Sequence, residues 1–348
     1  ARWLGIRKLA LDRLVEASRL PHNYVPQVTS AEEHARRIQE VQNFFEQQLQ
    51  SSDPGEKLGA TVGAMLTSNM RLSVAPLSRL QGTDSSQYGR ALARFDALGL
   101  SGLTRNARDF DFVAPHLGHA RLIRLDYRGR GQSDWADPAT YTVPREARDA
   151  LELMDHLGLQ KAGVLGTSRG GIIAMMLAAT AHDRLLGVAM NDIGPVLEPA
   201  GLDVIMGYLG RDPGFDDFDS MAAARKQAME PTFPGVPLER WRKEVTHTHT
   251  ETADGVRINY DPKLRDAVIA AGATGAPDLW PLYDAIAPLP AAVIHGVNSD
   301  ILSAATVDEM ARRNPDLIVA RVPDRAHIPF LDEKPALEAL QAWIAKMQ

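Results

Sequence analysis

One serine lies between small residues at the point where a short apolar segment ends. The stretch VLGTSRGG, residues 164–171, places Ser168 midway between Gly166 and Gly170. The G-x-S-x-G spacing is typical of a sharp strand-to-helix turn that exposes the serine hydroxyl beside the positive end of a helix. We predict from this pattern that Ser168 is a nucleophile.

A serine nucleophile requires a base that removes its proton and an acid that orients that base. His327, in VPDRAHIPFL, follows one predicted strand, and Asp300, in VIHGVNSDIL, follows the strand before it. The order serine, acid, histidine along the chain is the order expected for this kind of turn. We therefore predict a triad of Ser168, Asp300 and His327, with Asp324 as the nearest rival for the acid.

Strand and helix patterns alternate around these residues from about residue 96 onward. Compact apolar runs predict strands, and apolar residues at helical spacing predict helices. The predicted strands are 120–127, 162–166, 185–192, 291–296 and 317–323, and the predicted helices are 144–158, 170–181, 304–314 and 334–347. This alternation predicts an α/β fold with a mostly parallel sheet and helices on both faces.

Residues 195–285 interrupt the alternation with helices and loops, punctuated by RDPGFDD and PTFPGVP. Ligand sites of open α/β folds lie at the carboxyl ends of the strands, where this insertion begins. We expect residues 195–285 to form a helical cap and residues 91–194 and 286–348 to form the core. Residues 1–90 are predicted to be a helical extension, with one helix over 30–50.

Five stretches together resemble motifs of the α/β-hydrolase family, in particular its bacterial ester and C–C bond hydrolases with a helical cap. They are GLTRNARDF (102–110), LDYRGRGQSD (125–134), GTSRGG (166–171), HGVNSDIL (295–302) and DRAHIPFL (324–331). The resemblance implies the α/β-hydrolase fold, with Ser168 as nucleophile, His327 as base and then acid, and Asp300 as its orienting group. It also implies an oxyanion hole formed by the backbone N–H groups of Leu103 and Arg169.

Several positions depart from the family pattern. Ser101 stands where a histidine is usual, and Ala326 stands where a glycine is common before the catalytic histidine. The segment ARFDALGL, residues 93–100, carries Arg94 and Asp96 in what should be a buried, continuously apolar strand. The preceding strands of the family fold are not legible in residues 60–95, so the beginning of the chain is atypical.

Charged residues near the motifs are interpreted mainly as parts of the scaffold. Asp126, Arg128 and Arg130 follow a predicted strand in a turn, where we expect ion pairs rather than substrate contacts. Arg169 follows the predicted nucleophile and could favour a substrate that carries a carboxylate, but a scaffold ion pair is the interpretation we prefer.

The histidines outside the predicted triad do not form a recognisable metal site. His247 and His249 in THTHT would share one face of an extended segment, but no cysteine or carboxylate cluster accompanies them. His295 is interpreted as a packed histidine at a strand end. No glycine-rich stretch has the context of a phosphate- or dinucleotide-binding loop, so we expect neither a metal nor an organic cofactor.

Composition excludes several classes of function. The 348 residues carry a net charge of −6 and contain no cysteine, which excludes disulfides, thiolate metal sites and a cysteine nucleophile. The negative charge gives no case for nucleic acid as a partner, and no apolar run is long enough for a membrane span. We expect a cytoplasmic protein with a small-molecule substrate, and the sequence is compatible with a homo-oligomer.

Together these features predict a serine hydrolase that acts on a small or medium carboxylic ester, thioester or lactone through an acyl-enzyme. Three alternatives remain open at this point. The same residues could cleave a C–C bond of a vinylogous diketone, transfer the acyl group to an acceptor other than water, or belong to a ligand receptor without catalysis.

Overall fold

The computed structural model describes residues 95–117, 120–273 and 277–347. The predicted extension 1–90 and its helix over 30–50 lie outside the described residues, as does Arg94.

A six-stranded sheet forms the centre of the described part of the chain. Its strands are β1 (Phe95–Leu100), β2 (Ala120–Leu125), β3 (Ala162–Thr167), β4 (Leu185–Asn191), β7 (Ala291–Gly296) and β8 (Ile318–Val322), in the order β2-β1-β3-β4-β7-β8. Every neighbouring pair is parallel. The chain runs from β1 outward to β2 and then returns to the other side of β1, so the strand order reverses between β1 and β3. Loops at the carboxyl ends of these two strands diverge and leave a crevice there.

Helices surround the sheet, and a small hairpin stands apart from it. The helices are α1 (Val143–His156), α2 (Arg169–Thr180), α3 (Pro199–Tyr208), α4 (Phe218–Met229), α5 (Leu238–Thr248), α6 (Leu264–Gly272), α7 (Trp280–Asp284), α8 (Ala304–Arg313) and α9 (Lys334–Lys346). Short 3₁₀ helices span Ala107–Phe110, Ala114–His116, Pro138–Thr140 and His182–Arg184. The antiparallel hairpin consists of β5 (His249–Thr252) and β6 (Gly255–Ile258).

Two apolar cores lie on opposite faces of the sheet because side chains alternate along each strand. In β3, Val164 packs with Met154 and Ile173 in one core, whereas the next residue, Leu165, packs with Trp343 in the other. All six residues of β3 are buried, as a strand covered on both faces requires. The predicted parallel sheet with helices on both faces is confirmed.

The charge in the first strand has a local explanation. Asp96 of β1 stands opposite Arg121 of β2 in the register, and Arg121 Nε donates to Asp96 Oδ1 at 2.5 Å. β2 is an edge strand without a buried residue, so this pair lies near the solvent-accessible side of the sheet. A charged residue is therefore tolerated in β1, although β1 itself is not at the edge.

Five helices and the hairpin lie between β4 and β7, within residues 195–285, which we name the cap segment. The cap segment has an apolar cluster of its own, in which Met221, Phe233 and Trp241 are buried together. Phe330 and Ala326 join the same cluster. The cap segment thus packs on the loop that carries His327, while the division of the chain into domains stays a prediction.

Candidate active site

Ser168 lies in the sharp turn between β3 and α2. Its backbone has a φ of 50°, in the left-handed region that side-chain-bearing residues seldom adopt. Two neighbouring glycines make this turn possible. A Cβ on Gly166 would lie 2.3 Å from the carbonyl oxygen of Gly170, and one on Gly170 would lie 1.9 Å from that of Leu100. The glycines therefore serve close backbone packing, which lifts the serine above the end of the sheet.

His327 lies in the loop after β8 and contacts the serine. Its Nε2 is 2.9 Å from Ser168 Oγ, a hydrogen-bond distance across 159 residues of sequence. Ser168 and His327 are thus brought together as the sequence analysis predicts for a nucleophile and its base.

Asp192, immediately after β4, supplies the carboxylate that contacts the histidine. Its Oδ2 is 2.8 Å from His327 Nδ1, and the side chain has no solvent exposure. The N–H of Gly296 donates to Oδ1 at 2.7 Å, and the hydroxyl of Ser299 donates to Oδ2 at 2.6 Å. Because a carboxylate accepts from Nδ1–H, Nε2 is left as the acceptor for the serine proton.

Asp300 does not occupy the position that the sequence analysis assigns to it. Its side chain is exposed and makes no hydrogen bond to His327, while its backbone carbonyl accepts from the N–H of Gly201. The rival Asp324 is also exposed, in a turn with a φ of 58°. The assignment of Asp300 as the acid is corrected to Asp192, because Ser299 directs its hydroxyl to Asp192 while the next side chain faces solvent.

A signal for Asp192 was present in the sequence. The predicted strand 185–192 ends in the polar pair Asn191-Asp192 after an apolar run, and Asp192 also lies between the serine and the histidine in chain order. The decisive fact is spatial: β4 is the neighbour of β3, so its carboxyl end lies directly beside the turn that carries Ser168. Strand order is not readable from spacing alone.

The two predicted oxyanion donors lie on either side of the crevice between β1 and β3. Arg169 is the first residue of α2, so its N–H has no partner within the helix. The N–H of Leu103 donates no hydrogen bond within the described residues. Both groups are free to bind an oxygen, and their role as oxyanion donors stays a prediction.

A buried ionic network fixes the backbone at both of these positions. Glu146 of α1 pairs with Arg130 at 2.7 Å and with Arg169 at 2.6 Å. Arg130 Nε also donates to the carbonyl of Leu103 at 3.0 Å. Arg169 therefore forms a scaffold ion pair, as predicted, and Arg130 connects the same carboxylate to the loop after β1.

The neighbouring turn residues also serve the scaffold. Asp126 accepts from the N–H of Ala107 at 2.6 Å, and Arg128 binds both oxygens of Asp149 at 2.6 Å. Ser101, which replaces the usual histidine, is buried with a hydroxyl that has no hydrogen-bond partner within the described residues.

A second charged cluster lies between the loop after β1 and the cap segment. Arg105 pairs with Asp109 and, at 2.8 Å, with Glu244 of α5. Burial raises the pKa of Asp109 to about 6 in spite of Arg105. Burial also opposes ionisation of Glu244, but the Arg105 charge and hydrogen bond outweigh it and hold that pKa below its usual value.

Three histidines outside the predicted triad, His247, His249 and His295, have pKa values lowered by burial. Burial, followed by the positive charge of Arg225, lowers the pKa of His249 to about 4. Burial also lowers the pKa of His247, which stacks on Phe112, and of His295, whose Nε2 lies 3.0 Å from the carbonyl of Leu302. Within the described ranges, no group of three or more histidine or carboxylate side chains is placed to hold a metal ion.

Comparison with known proteins decides the family. The family described as alpha/beta hydrolase fold matches residues 98–334, which include Ser168, Asp192 and His327. The chain belongs to the α/β-hydrolase family. The match extends from the second half of β1 to the first residue of α9. The family and the names of its relatives identify the protein as a hydrolase.

Two relatives of this α/β-hydrolase are themselves named as hydrolases. A 3-hydroxybutyrate-oligomer hydrolase from Cupriavidus necator is 36% identical over 242 residues, 66% of this chain and 82% of the relative. A 2-(acetamidomethylene)succinate hydrolase from Mesorhizobium japonicum is 27% identical over 228 residues, 65% of this chain and 79% of the relative.

A solved structure shares the fold of this α/β-hydrolase. The crystal structure of an alpha/beta hydrolase from Novosphingobium aromaticivorans superposes with a TM-score of 0.69 at 35% identity, covering 73% of this chain and 90% of the other. In the described ranges of the present chain, none of the helices combines the length and the apolar character that crossing a membrane requires.

Proposed function

We propose that this α/β-hydrolase is a serine esterase whose triad is Ser168, His327 and Asp192. The observation that carries the proposal is the continuous hydrogen-bonded chain from Ser168 Oγ through the imidazole to the buried Asp192, at 2.9 and 2.8 Å. This arrangement has the three features of an activated serine: a nucleophile, a base in contact with it, and a buried acid that orients the base.

The reaction begins when Ser168 Oγ attacks the ester carbonyl carbon and its proton passes to His327 Nε2. Asp192 stabilises the imidazolium that forms and holds its tautomer. The negative charge on the carbonyl oxygen is received by the N–H groups of Leu103 and Arg169, and a single such donor contributes about 3 kcal/mol to the transition state.

Collapse of the tetrahedral intermediate breaks the bond to the alcohol, which takes the proton from His327 Nε2 as it leaves. A water molecule then gives its proton to the same nitrogen and attacks the acyl-enzyme. The second collapse returns the proton to Ser168 Oγ and releases the carboxylic acid. His327 thus acts as base and acid in each half of the reaction.

The proposed substrate is a short ester of a hydroxy acid. The 3-hydroxybutyrate-oligomer hydrolase relative, at 36% identity, supports an ester between small hydroxy-acid units. The cap segment packs on the His327 loop through Phe330, which places apolar and aromatic side chains beside the triad. Such surroundings suit a small ester that is enclosed on binding.

Labelling with a fluorophosphonate probe tests the proposed nucleophile. We expect one adduct per chain on the Ser168 peptide by mass spectrometry, and no adduct in Ser168→Ala or His327→Ala. Ser220→Ala is the matched control, because Ser220 is an exposed serine of the cap segment whose loss should leave labelling unchanged. An unlabelled, correctly folded wild-type protein would contradict the proposal and favour a ligand receptor.

A further inference from the structure

One arginine of the cap segment, Arg225, has no ion-pair partner within the described residues. Arg225 lies on α4 (Phe218–Met229), and its Nε is inaccessible to solvent and has no hydrogen-bond partner within the described residues. The side chain as a whole is only partly buried. A cation held in protein surroundings without a partner destabilises the folded chain, and this is the expected state of a site whose partner arrives with a ligand.

Neighbouring arginines differ from Arg225 because each has a carboxylate in contact. Arg105 is paired with Asp109 and Glu244, and Arg240 is paired with Asp332 at 2.5 Å. Glu244 is the acidic group with the largest electrostatic effect on Arg225, but its Oε2 is already bound by Arg105 at 2.8 Å. Burial lowers the pKa of Arg225, consistent with an incompletely compensated charge.

Contacts connect Arg225 with the catalytic crevice. Its guanidinium carbon is 6.0 Å from the centroid of the Trp241 ring, which packs edge-on against Phe330 at 5.8 Å, in the same loop as His327. On the opposite wall, the position of a Cβ on Gly102 would be 3.2 Å from Arg105 Cδ and 3.7 Å from Ser168 Cβ. The Arg105–Glu244 pair, whose charges act on Arg225, therefore reaches from the cap segment to the nucleophile.

We propose that Arg225 binds a carboxylate of the substrate, so that the preferred esters are those that carry a free carboxylate in addition to the ester bond that is cleaved. The inference rests on the proposed esterase function and adds to it the charge of the substrate. A planar guanidinium fork matches a carboxylate with two parallel hydrogen bonds. Arg105 and Arg240 are already paired with carboxylates, and burial lowers the pKa of His249 to about 4, so Arg225 is the cation left to select the anion.

A purely structural role for Arg225 makes a different prediction about stability. An arginine that holds the cap segment together should lower the melting temperature when it is removed. A ligand-binding cation without a partner should not, so Arg225→Met is expected to melt at the wild-type temperature or above it. A melting temperature well below that of wild type would contradict the inference.

The kinetic test compares a free acid with its neutral ester. We would measure hydrolysis of the 3-hydroxybutyrate dimer and of its methyl ester by wild type, Arg225→Met and Arg225→Lys. Arg225→Met should raise KM for the free acid by about 30-fold or more, with kcat changed little, since loss of one partner of a desolvated charge pair weakens binding by at least that factor. KM for the methyl ester should stay unchanged, and Arg225→Lys should restore part of the binding.

Arg242→Met is the matched control, because Arg242 is an exposed arginine of α5 paired with Asp219 and should affect neither substrate. Equal KM changes for the acid and the methyl ester in Arg225→Met, or no change for either, would overturn the inference while leaving the esterase function intact. Absence of wild-type hydrolysis and of Ser168 labelling would instead contradict the esterase function.

Binding without turnover separates the two proposals. Calorimetry with Ser168→Ala should show binding of the 3-hydroxybutyrate dimer that is lost on adding Arg225→Met, and butyrate should compete with the dimer. Competition by inorganic phosphate but not by butyrate would overturn the assignment to a carboxylate, as would equal affinity of the single and double variants.

Discussion

The carboxyl ends of the sheet strands, which we name the rim, differ from the cap segment in how a buried charged group is hydrogen-bonded. At the rim, Asp192 is fully buried but receives hydrogen bonds from His327, Gly296 and Ser299. In the cap segment, Arg225 has a buried Nε without a hydrogen-bond partner in the described chain. The hydrogen bonds of Asp192 at the rim are formed before a substrate arrives, whereas in our proposal Arg225 gains its partner only when a substrate binds.

This difference separates catalysis from recognition. Groups that move a proton must be held in place before the reaction, which strand ends of a rigid sheet accomplish. An unpaired charge makes a binding site selective. A ligand of opposite charge removes the free-energy cost of leaving that charge unpaired, and a neutral ligand does not. The account therefore expects substitutions at the rim to lower kcat, and substitution of Arg225 to raise KM for anions.

The largest expected effect concerns the acid at the rim. Asp192→Asn should lower kcat by roughly 10⁴-fold, because an amide cannot hold His327 in the required tautomer or stabilise the imidazolium. Asp300→Asn is the matched control, an exposed carboxylate on the neighbouring loop, and should change kcat by no more than about twofold. Steady-state kinetics with a neutral p-nitrophenyl ester would measure both. A greater loss in Asp300→Asn would reverse the assignment.

The next effect concerns the ionic network of Glu146, Arg130 and Arg169, which fixes the loop after β1. Glu146→Gln should lower the free energy of unfolding by about 3–5 kcal/mol, because it leaves the buried Arg130 and Arg169 without their counter-charge. Urea denaturation would measure the change. Arg148→Gln, on the exposed side of the same helix, should cost at most about 0.5 kcal/mol. A similar small effect for both variants would show that the network contributes no stability.

The smallest expected effect is a pH dependence in the cap segment. The pKa of His249 is about 4 when folded, lowered from 6.5 by burial and then by Arg225 and Arg105, with Asp212 acting in the opposite direction. Between pH 6.5 and pH 4 the unfolded chain binds a proton that folded His249 does not, so stability falls as pH falls through this range.

His249→Gln should remove this loss, worth about 1–3 kcal/mol after solvent screening. Denaturation at a series of pH values would compare the variant with wild type and with His156→Gln, an exposed histidine of α1. Asp109 titrates in the same range with the opposite sign, so only the difference between variants is informative. Parallel stability profiles for wild type and His249→Gln would contradict the prediction.

Much of the fold follows from local patterns in the sequence. The predicted strand 291–296 has the observed bounds, and the predicted helix 304–314 ends one residue late. Such elements are readable because apolar periodicity reports burial directly. The turn at Ser168 can also be predicted from neighbouring residues, because Gly166 and Gly170 indicate that the backbone packs closely there.

Features that depend on strand order or on pairing could not be read in this way. Asp192 and Asp300 both follow strands and both lie between the serine and the histidine in the chain; only the adjacency of β3 and β4 distinguishes them. Arg225 is one of many arginines in the sequence, and within the described residues it has no ion-pair partner because Arg105 binds the nearby Glu244. Such facts arise from contacts between residues far apart in sequence.

The crystal structure of the fluorophosphonate adduct would test the central claim most directly. The account predicts phosphorus bonded to Ser168 Oγ, Asp192 within hydrogen-bond distance of His327 Nδ1, and the phosphonyl oxygen between the N–H groups of Leu103 and Arg169. Phosphorus on another residue, or Asp300 in place of Asp192 against the imidazole, would contradict it.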